Sequence, residues 1–225
     1  MLARHDLVWL TAEGWDVVRR SVQPDHAFVI ERWTMADWPA VVRRQDADAE
    51  PDQICLGITP PRDTLCARGG RIRLAFRCNH NAIKNVSRPL AVEAVSPAVP
   101  EQWQLAYQQF RAAVEGKALD VRVYGSLSLQ ALTGESYLTE RSDIDLAFFP
   151  KNAKELAIGN DLFAANGKCL PLDGEVIFPS GRAVAWKEWC ASSAATGNER
   201  VLVKEKEKVA LLRVDQLLRE LTEPI

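Results

Sequence analysis

The chain has 225 residues, a formal net charge of −2 and an isoelectric point near 6.0. At 47% hydrophobic and 26% charged residues it has the composition of a globular protein with a sizeable core, and its balanced charge excludes the global positive field of a nucleic-acid polymer binder. No segment approaches the roughly 20 apolar residues that span a bilayer, and Arg4 and Asp6 interrupt the N-terminus, so no membrane segment or secretory signal is expected and the expected compartment is cytoplasmic.

In chain order, Leu7 to Leu10 is a short apolar strand, and Thr11 is placed to cap a helix through Arg20. Ala40 to Arg44 and Ile54 to Ile58 are short apolar runs closed by polar residues or proline, the pattern of strands. Arg71 to Arg77 alternates basic and apolar residues, which predicts a strand with one buried and one charged face. Pro89, Pro97 and Pro100 then separate two differently patterned halves, with a boundary expected near residue 98. Residues 1–98 form the expected N-terminal substrate- or partner-binding domain, and 99–225 the catalytic domain.

Beyond that boundary, Trp103, Leu105, Ala106, Phe110, Ala113 and Val114 recur at helical spacing from Glu101 to Glu115, ahead of Gly116. Val121 to Tyr124 reads as a strand, Ser126 to Leu132 as a helix and Ile144 to Phe149 as a strand stopped by Pro150. A helix from Asn152 or Lys154 to about Asn166 and a strand at Glu175 to Phe178 follow. Val201 to Lys204 and Val209 to Val214 read as a hairpin, with Asp215 capping a last helix to Leu221; one helix from Val201 to Leu221 is the competing reading. The fold class expected is α+β, an N-terminal β-rich domain plus a C-terminal domain built on a mixed sheet.

The five cysteines (Cys55, Cys66, Cys78, Cys169, Cys190) contain no Cys-x-x-Cys pair and read as reduced thiols, not as a disulfide framework or zinc site. Between Arg62 and Arg88 seven basic side chains face a single acid, Asp63. Arg71, Arg73 and Arg77 would line the charged face of their strand. They are a site for a phosphorylated ligand, through the paired donors of guanidinium, or a charged edge that blocks sheet growth.

The chemistry concentrates in Val121-Arg122-Val123-Tyr124-Gly125-Ser126-Leu127 and Arg141-Ser142-Asp143-Ile144-Asp145-Leu146-Ala147. Residues two apart in a strand share a face, so Asp143 and Asp145 are paired while Ile144 and Leu146 enter a core. Adjacent carboxylates repel, and a hard cation such as Mg2+ relieves the repulsion while taking substrate phosphates into its shell. Gly125 and Ser126, at a strand end and helix start, would offer N–H groups and a hydroxyl to the same phosphates. A third carboxylate would come from Glu175, or from Asp173, whose place before Gly174 also fits a turn, and Lys204 on the hairpin would reach a phosphate or stand solvated. Trp186 and Trp189 share a helical face and read as core. His5 beside a buried strand reads first as a structural histidine, with a substrate or domain-contact role open for it and Asp6. Of Arg43 and Arg44, which face opposite ways, at most one would meet a phosphate.

This order of strand, Gly-Ser, helix and Asp-x-Asp resembles the nucleotidyltransferase fold of the DNA polymerase β type, with a longer gap of sixteen residues between Ser126 and Asp143. With Arg4-His5-Asp6-Leu7-Val8-Trp9-Leu10, Leu56-Gly57-Ile58-Thr59-Pro60, Leu172-Asp173-Gly174-Glu175 and Ala183-Val184-Ala185-Trp186-Lys187-Glu188-Trp189, nearly the whole chain resembles the malonate decarboxylase holo-acyl carrier protein synthase family. The resemblance implies a phosphoribosyl-dephospho-CoA transferase. Its donor would be 2′-(5-triphosphoribosyl)-3′-dephospho-CoA, its acceptor a serine of the apo acyl carrier protein subunit of malonate decarboxylase, and its by-product diphosphate. The other readings are an NTP-dependent nucleotidyltransferase acting on a protein or small molecule, and a non-catalytic CoA- or nucleotide-binding module. The paired Asp143 and Asp145 argue against the last, since a pure binder of polyanions gains nothing from clustered acids.

Overall fold

The computed structural model describes residues 2–61, 72–193 and 199–221. The chain divides into two units, Met1–Pro89 with Glu135–Tyr137, and Leu90–Gly134 with Leu138–Ile225. The fold is α+β, with a five-stranded antiparallel sheet in the first unit and a seven-stranded mixed sheet in the second.

In the first unit the strands are β1 (Leu7–Leu10), β2 (Ala40–Val42), β3 (Gln53–Ile58), β4 (Leu74–Asn79) and β5 (Ile83–Ser87), in the order β4-β3-β2-β1-β5. Helix α1 (Ala12–Ser21) starts where expected, the Thr11 hydroxyl accepting from the Gly14 N–H at 3.1 Å. A second helix, α2 (Ala27–Met35), buries Val29, Ile30 and Trp33, and the Trp33 indole N–H donates to the Pro39 carbonyl at 3.0 Å. Val8, Leu10, Trp15, Val18, Ile30, Leu56 and Phe76 join the sheet and both helices in one core. The strand expected from Arg71 begins only at Leu74, and it is an edge strand.

The second unit runs β6 (Leu90–Ala91), α3 (Glu101–Gly116), β7 (Val121–Tyr124), α4 (Gly125–Thr133), β8 (Ile144–Phe148), α5 (Ala153–Asn166), β9 (Leu172–Ile177), β10 (Ala183–Ala185), α6 (Trp186–Ser193), β11 (Arg200–Lys204), β12 (Val209–Arg213) and α7 (Val214–Arg219). Residues 90–98 group here because Leu90 and Ala91 pair with Val123 and Arg122. The sheet order is β12-β11-β10-β9-β8-β7-β6. Among the described residues only β8 and β9 are parallel, and a parallel pair needs a crossover, here α5, capped by the Asn152 side chain accepting from the Glu155 N–H at 2.8 Å.

Alternation sorts the strand residues between the two faces. Val121, Val123, Ile144, Leu146, Phe148, Val176, Val184, Val201 and Val203 form one core with Phe110, Phe163, Trp186 and Trp189 of the helices. The hairpin forms as expected, and the continuous helix from Val201 does not. Asp215 is no cap: it sits in the first turn of α7, where it pairs with Arg213 and Arg219, and the cap residue is Arg213. Among the described residues no helix is long and apolar enough to cross a membrane.

Strand β9 begins at Leu172, not Glu175, because Gly174 is a strand residue and not a turn. Its φ is +140°, and a Cβ there would lie 2.0 Å from the Leu146 carbonyl oxygen of β8. Only glycine allows this approach. Gly174→Ala is therefore expected to cost about 3 kcal/mol or more, read as a fall in Tm of roughly 10 °C; a parental Tm would contradict the close packing of β8 on β9.

Candidate active site

The second face of the seven-stranded sheet carries the polar residues. In register on adjacent strands lie Tyr124 of β7, Asp145 of β8 and Asp173 of β9. One step along come Arg122, Ala147, Glu175 and Ala185. A small apolar patch of Ala147, Ile177 and Ala183, with Tyr124 and Phe149 packed on it, borders these acids.

Strand β7 runs directly into α4, and the turn is made at Gly125, with φ +69°. A Cβ on residue 125 would lie 2.0 Å from Asp145 Oδ2 and 2.8 Å from its Cγ. The Asp145 carboxylate thus occupies the space a side chain would need, seated at the N-terminal end of α4. The partial positive charge of that helix end favours an anion there. Ser126, in the same first turn, is buried at 7% exposure, and Ser128 is buried too.

Asp143 is exposed and stands just ahead of β8, whose first residue is Ile144. Two contacts fix this approach. The Ile144 N–H donates to the Pro171 carbonyl at 2.8 Å, tying the start of β8 to that of β9. The Thr139 N–H donates to Ser142 Oγ at 2.9 Å, closing the turn before Asp143.

Two expected site residues meet each other. Glu175 is 4% exposed, and Lys204 of β11 donates to its Oε1 at 2.8 Å. Asp173, half exposed, pairs with Lys187 of α6 at 3.3 Å, a contact that sequence patterning did not signal. Register sets Asp173, not Glu175, beside Asp145, while Glu175 lies opposite Ala147. Among the described residues no group of three or more acidic, histidine or cysteine side chains is gathered as a metal site. Asp143, just ahead of β8, and Asp145, within it, carry the oxygen donors that suit a hard cation taking phosphate oxygens for the rest of its shell.

The arginines expected to hold phosphate belong to the first unit. Arg71 lies outside the described residues, and Arg73 is exposed ahead of β4. Arg77 is held by Asp46 (2.9 Å) and Asp48. Arg43 clamps Asp46 from the other side and, with Arg77, holds its carboxyl far below the ordinary range. A phosphate at Arg77 would have to displace these carboxylates. Elsewhere in this unit His5 takes a positive φ of 72°, and Asp6 is buried, its carboxyl raised by desolvation although it accepts from the Ala3 N–H at 2.8 Å. A cleft between α1 and α2, lined by Trp15, Arg19, Ile30, Glu31 and Met35, contains none of the expected site residues.

Comparison with known proteins covers almost the whole chain. Residues 3–89 match the Phosphoribosyl-dephospho-CoA transferase MdcG N-terminal domain, and residues 89–215 the Phosphoribosyl-dephospho-CoA transferase MdcG C-terminal domain. The chain is 33% identical over 217 residues to a phosphoribosyl-dephospho-CoA transferase of Xanthomonas euvesicatoria, covering 94% of each chain. It is 30% identical over 224 residues to one of Bradyrhizobium diazoefficiens, covering 96% of this chain and 92% of the relative. No solved structure matches it.

The seat of Asp145 can be tested without an assay of turnover. Gly125→Ala is expected to lower Tm, and Asp145→Ala in the same chain to recover part of the loss, leaving about 1 kcal/mol for the left-handed backbone. Strictly additive losses would show that the carboxylate does not occupy the space beside Gly125.

Proposed function

We propose a reaction and a site for this chain, which belongs to the phosphoribosyl-dephospho-CoA transferase family and is a transferase. The donor in this reading is 2′-(5-triphosphoribosyl)-3′-dephospho-CoA, and the acceptor is a serine of the apo acyl carrier subunit of malonate decarboxylase. The serine hydroxyl oxygen forms a bond to the α-phosphorus. The bond from that phosphorus to the oxygen bridging to the β-phosphate breaks, diphosphate leaves with the electron pair, and the serine proton passes to a carboxylate or to water. The product is a phosphodiester between the carrier serine and the prosthetic group.

The observation that carries this reading is the seat of the Asp145 carboxylate against Gly125, two residues after Asp143 at the start of β8. Phosphoryl transfer asks little covalent chemistry of a protein; it asks for position and for charge neutralisation. Asp143 and Asp145 would hold Mg2+, which when bound supplies charge neutralisation for the triphosphate. The residues do the rest. Gly125 leaves room for the Asp145 carboxylate at the start of α4, where the helix end favours negative charge. Lys204 sets a cation two strands beyond β9 on the same face, and a leaving diphosphate would compete with Glu175 for it. Glu175 acts in this arrangement as the partner of Lys204, and Asp173, beside Asp145, is the better placed third carboxylate.

Mass spectrometry of the apo acyl carrier subunit, incubated with enzyme, Mg2+ and donor, is expected to show the mass of the phosphoribosyl-dephospho-CoA group on a serine. EDTA should abolish the gain and Mg2+ restore it. Asp143→Asn and Asp145→Asn should each slow transfer at least about 10²-fold with Tm retained. A gain only when ATP replaces the donor would support the NTP-dependent reading instead. Full transfer by either variant would remove these aspartates from the mechanism.

A further inference from the structure

The hairpin of β11 and β12 forms one margin of the seven-stranded sheet, and its two faces differ sharply. Val201 and Val203 face the core and are 0% exposed. On the second face the register stacks three cross-strand pairs, Arg200 with Arg213, Leu202 with Leu211 and Lys204 with Val209. Leu202 and Val209 are each 42% exposed and Leu211 60%. Three adjacent exposed aliphatic side chains on a flat strand pair are costly in water, and an edge strand with such a face invites association.

The patch has a rim of stated charge. Arg200 and Arg213 stand directly opposite each other, an arrangement that costs stability on a free sheet. Asp215 balances Arg213 at 2.9 Å, whereas Arg200 has no ion-pair partner among the described residues. An occupant that brings a carboxylate to Arg200 relieves this repulsion, and one that brings apolar side chains covers the leucines. This combination describes an acidic protein surface with an apolar centre.

The patch is also continuous with the candidate active site. Leu202 and Leu211 lie on the face that holds Ala147, Glu175 and Ala185, and Lys204, two residues from Leu202 on β11 and opposite Ala183, donates to Glu175. Strand β12 lies four strands from β8, about 20 Å at ordinary strand spacing. A protein seated on the hairpin therefore has its own surface above Asp145, which a small donor molecule does not need.

We propose that the exposed face of the β11–β12 hairpin is the docking surface for the acceptor protein, centred on Leu202 and Leu211 and oriented by Arg200. This rests on the reading that the acceptor is a protein. The test uses the full chain, the apo acyl carrier subunit and the donor, with transfer followed by mass spectrometry. Both leucines are exposed, so a Leu202→Ser/Leu211→Ser variant is expected to keep the parental Tm. Its KM for the carrier should rise at least tenfold, with kcat and the KM for the donor unchanged. Arg200→Glu should raise the carrier KM at least threefold at low salt, and the difference should shrink as salt is added. An unchanged carrier KM in both variants overturns the docking surface while leaving the transfer reaction standing. A change in the donor KM alone overturns it in favour of a donor subsite. A parental dimer that the leucine variant converts to monomers at constant carrier KM overturns it in favour of a self-interface. Absence of any mass gain on the carrier with the parental enzyme overturns the acceptor reading and the docking surface together.

Discussion

The parallel ladder between β8 and β9 is the constraint from which the rest of the second unit follows. Gly174 presses its backbone against Leu146, at a φ and a distance no other residue tolerates, and this holds the two strands in a single register. That register sets Asp173 beside Asp145 and Glu175 beside Ala147. It also turns Ile144, Leu146, Phe148 and Val176 together into the helical core, so a slip of one residue would bury the acids and expose the apolar set. Burial on one face thus enforces the position of charge on the other.

Much of this was legible in the sequence, because local patterns determine it. The alternation through Ile144 to Phe148, the Gly125 turn, the cap at Thr11 and the helix start near Asn152 are all short-range signals, and each element appears with its expected type. What escaped depends on partners far away in the chain. Helix α2 lacks a side-chain cap and is rich in aromatic and β-branched residues, Phe28, Val29, Ile30 and Trp33, which do not favour helix until packed. Strand β5 exposes Lys84, Asn85, Val86 and Ser87 and shows no alternation, so only its pairing with β1 defines it. The pairs Glu175 with Lys204 and Asp173 with Lys187 are set by sheet register and by helix docking, which no local spacing encodes.

The arginine-rich stretch illustrates the difference between composition and placement. Its sequence offers a row of hydrogen-bond donors for phosphate, yet Arg77 is drawn into a network with Asp46 and Asp48, which lie about thirty residues earlier. Charge on a strand face is neutralised by whatever the fold brings opposite it. The margin of the second sheet shows the reverse: the sequence predicts only a hairpin of Val201 to Lys204 and Val209 to Val214, and the register stacks Arg200, Leu202 and Leu211 on one face as a patch with a charged rim. A transferase that modifies another protein needs both features, a fixed anion seat for chemistry and a broad face for recognition.

The central claim is that the Asp145 carboxylate at Gly125 holds the cation that meets the donor triphosphate. Phosphorus NMR of the donor bound to the enzyme, with Mn2+ replacing Mg2+, tests it most directly. Paramagnetic broadening of the α- and β-phosphorus signals in the parental enzyme, lost in Asp145→Asn while the donor remains bound, is the predicted result. Equal broadening in the variant would place the cation elsewhere and contradict the site.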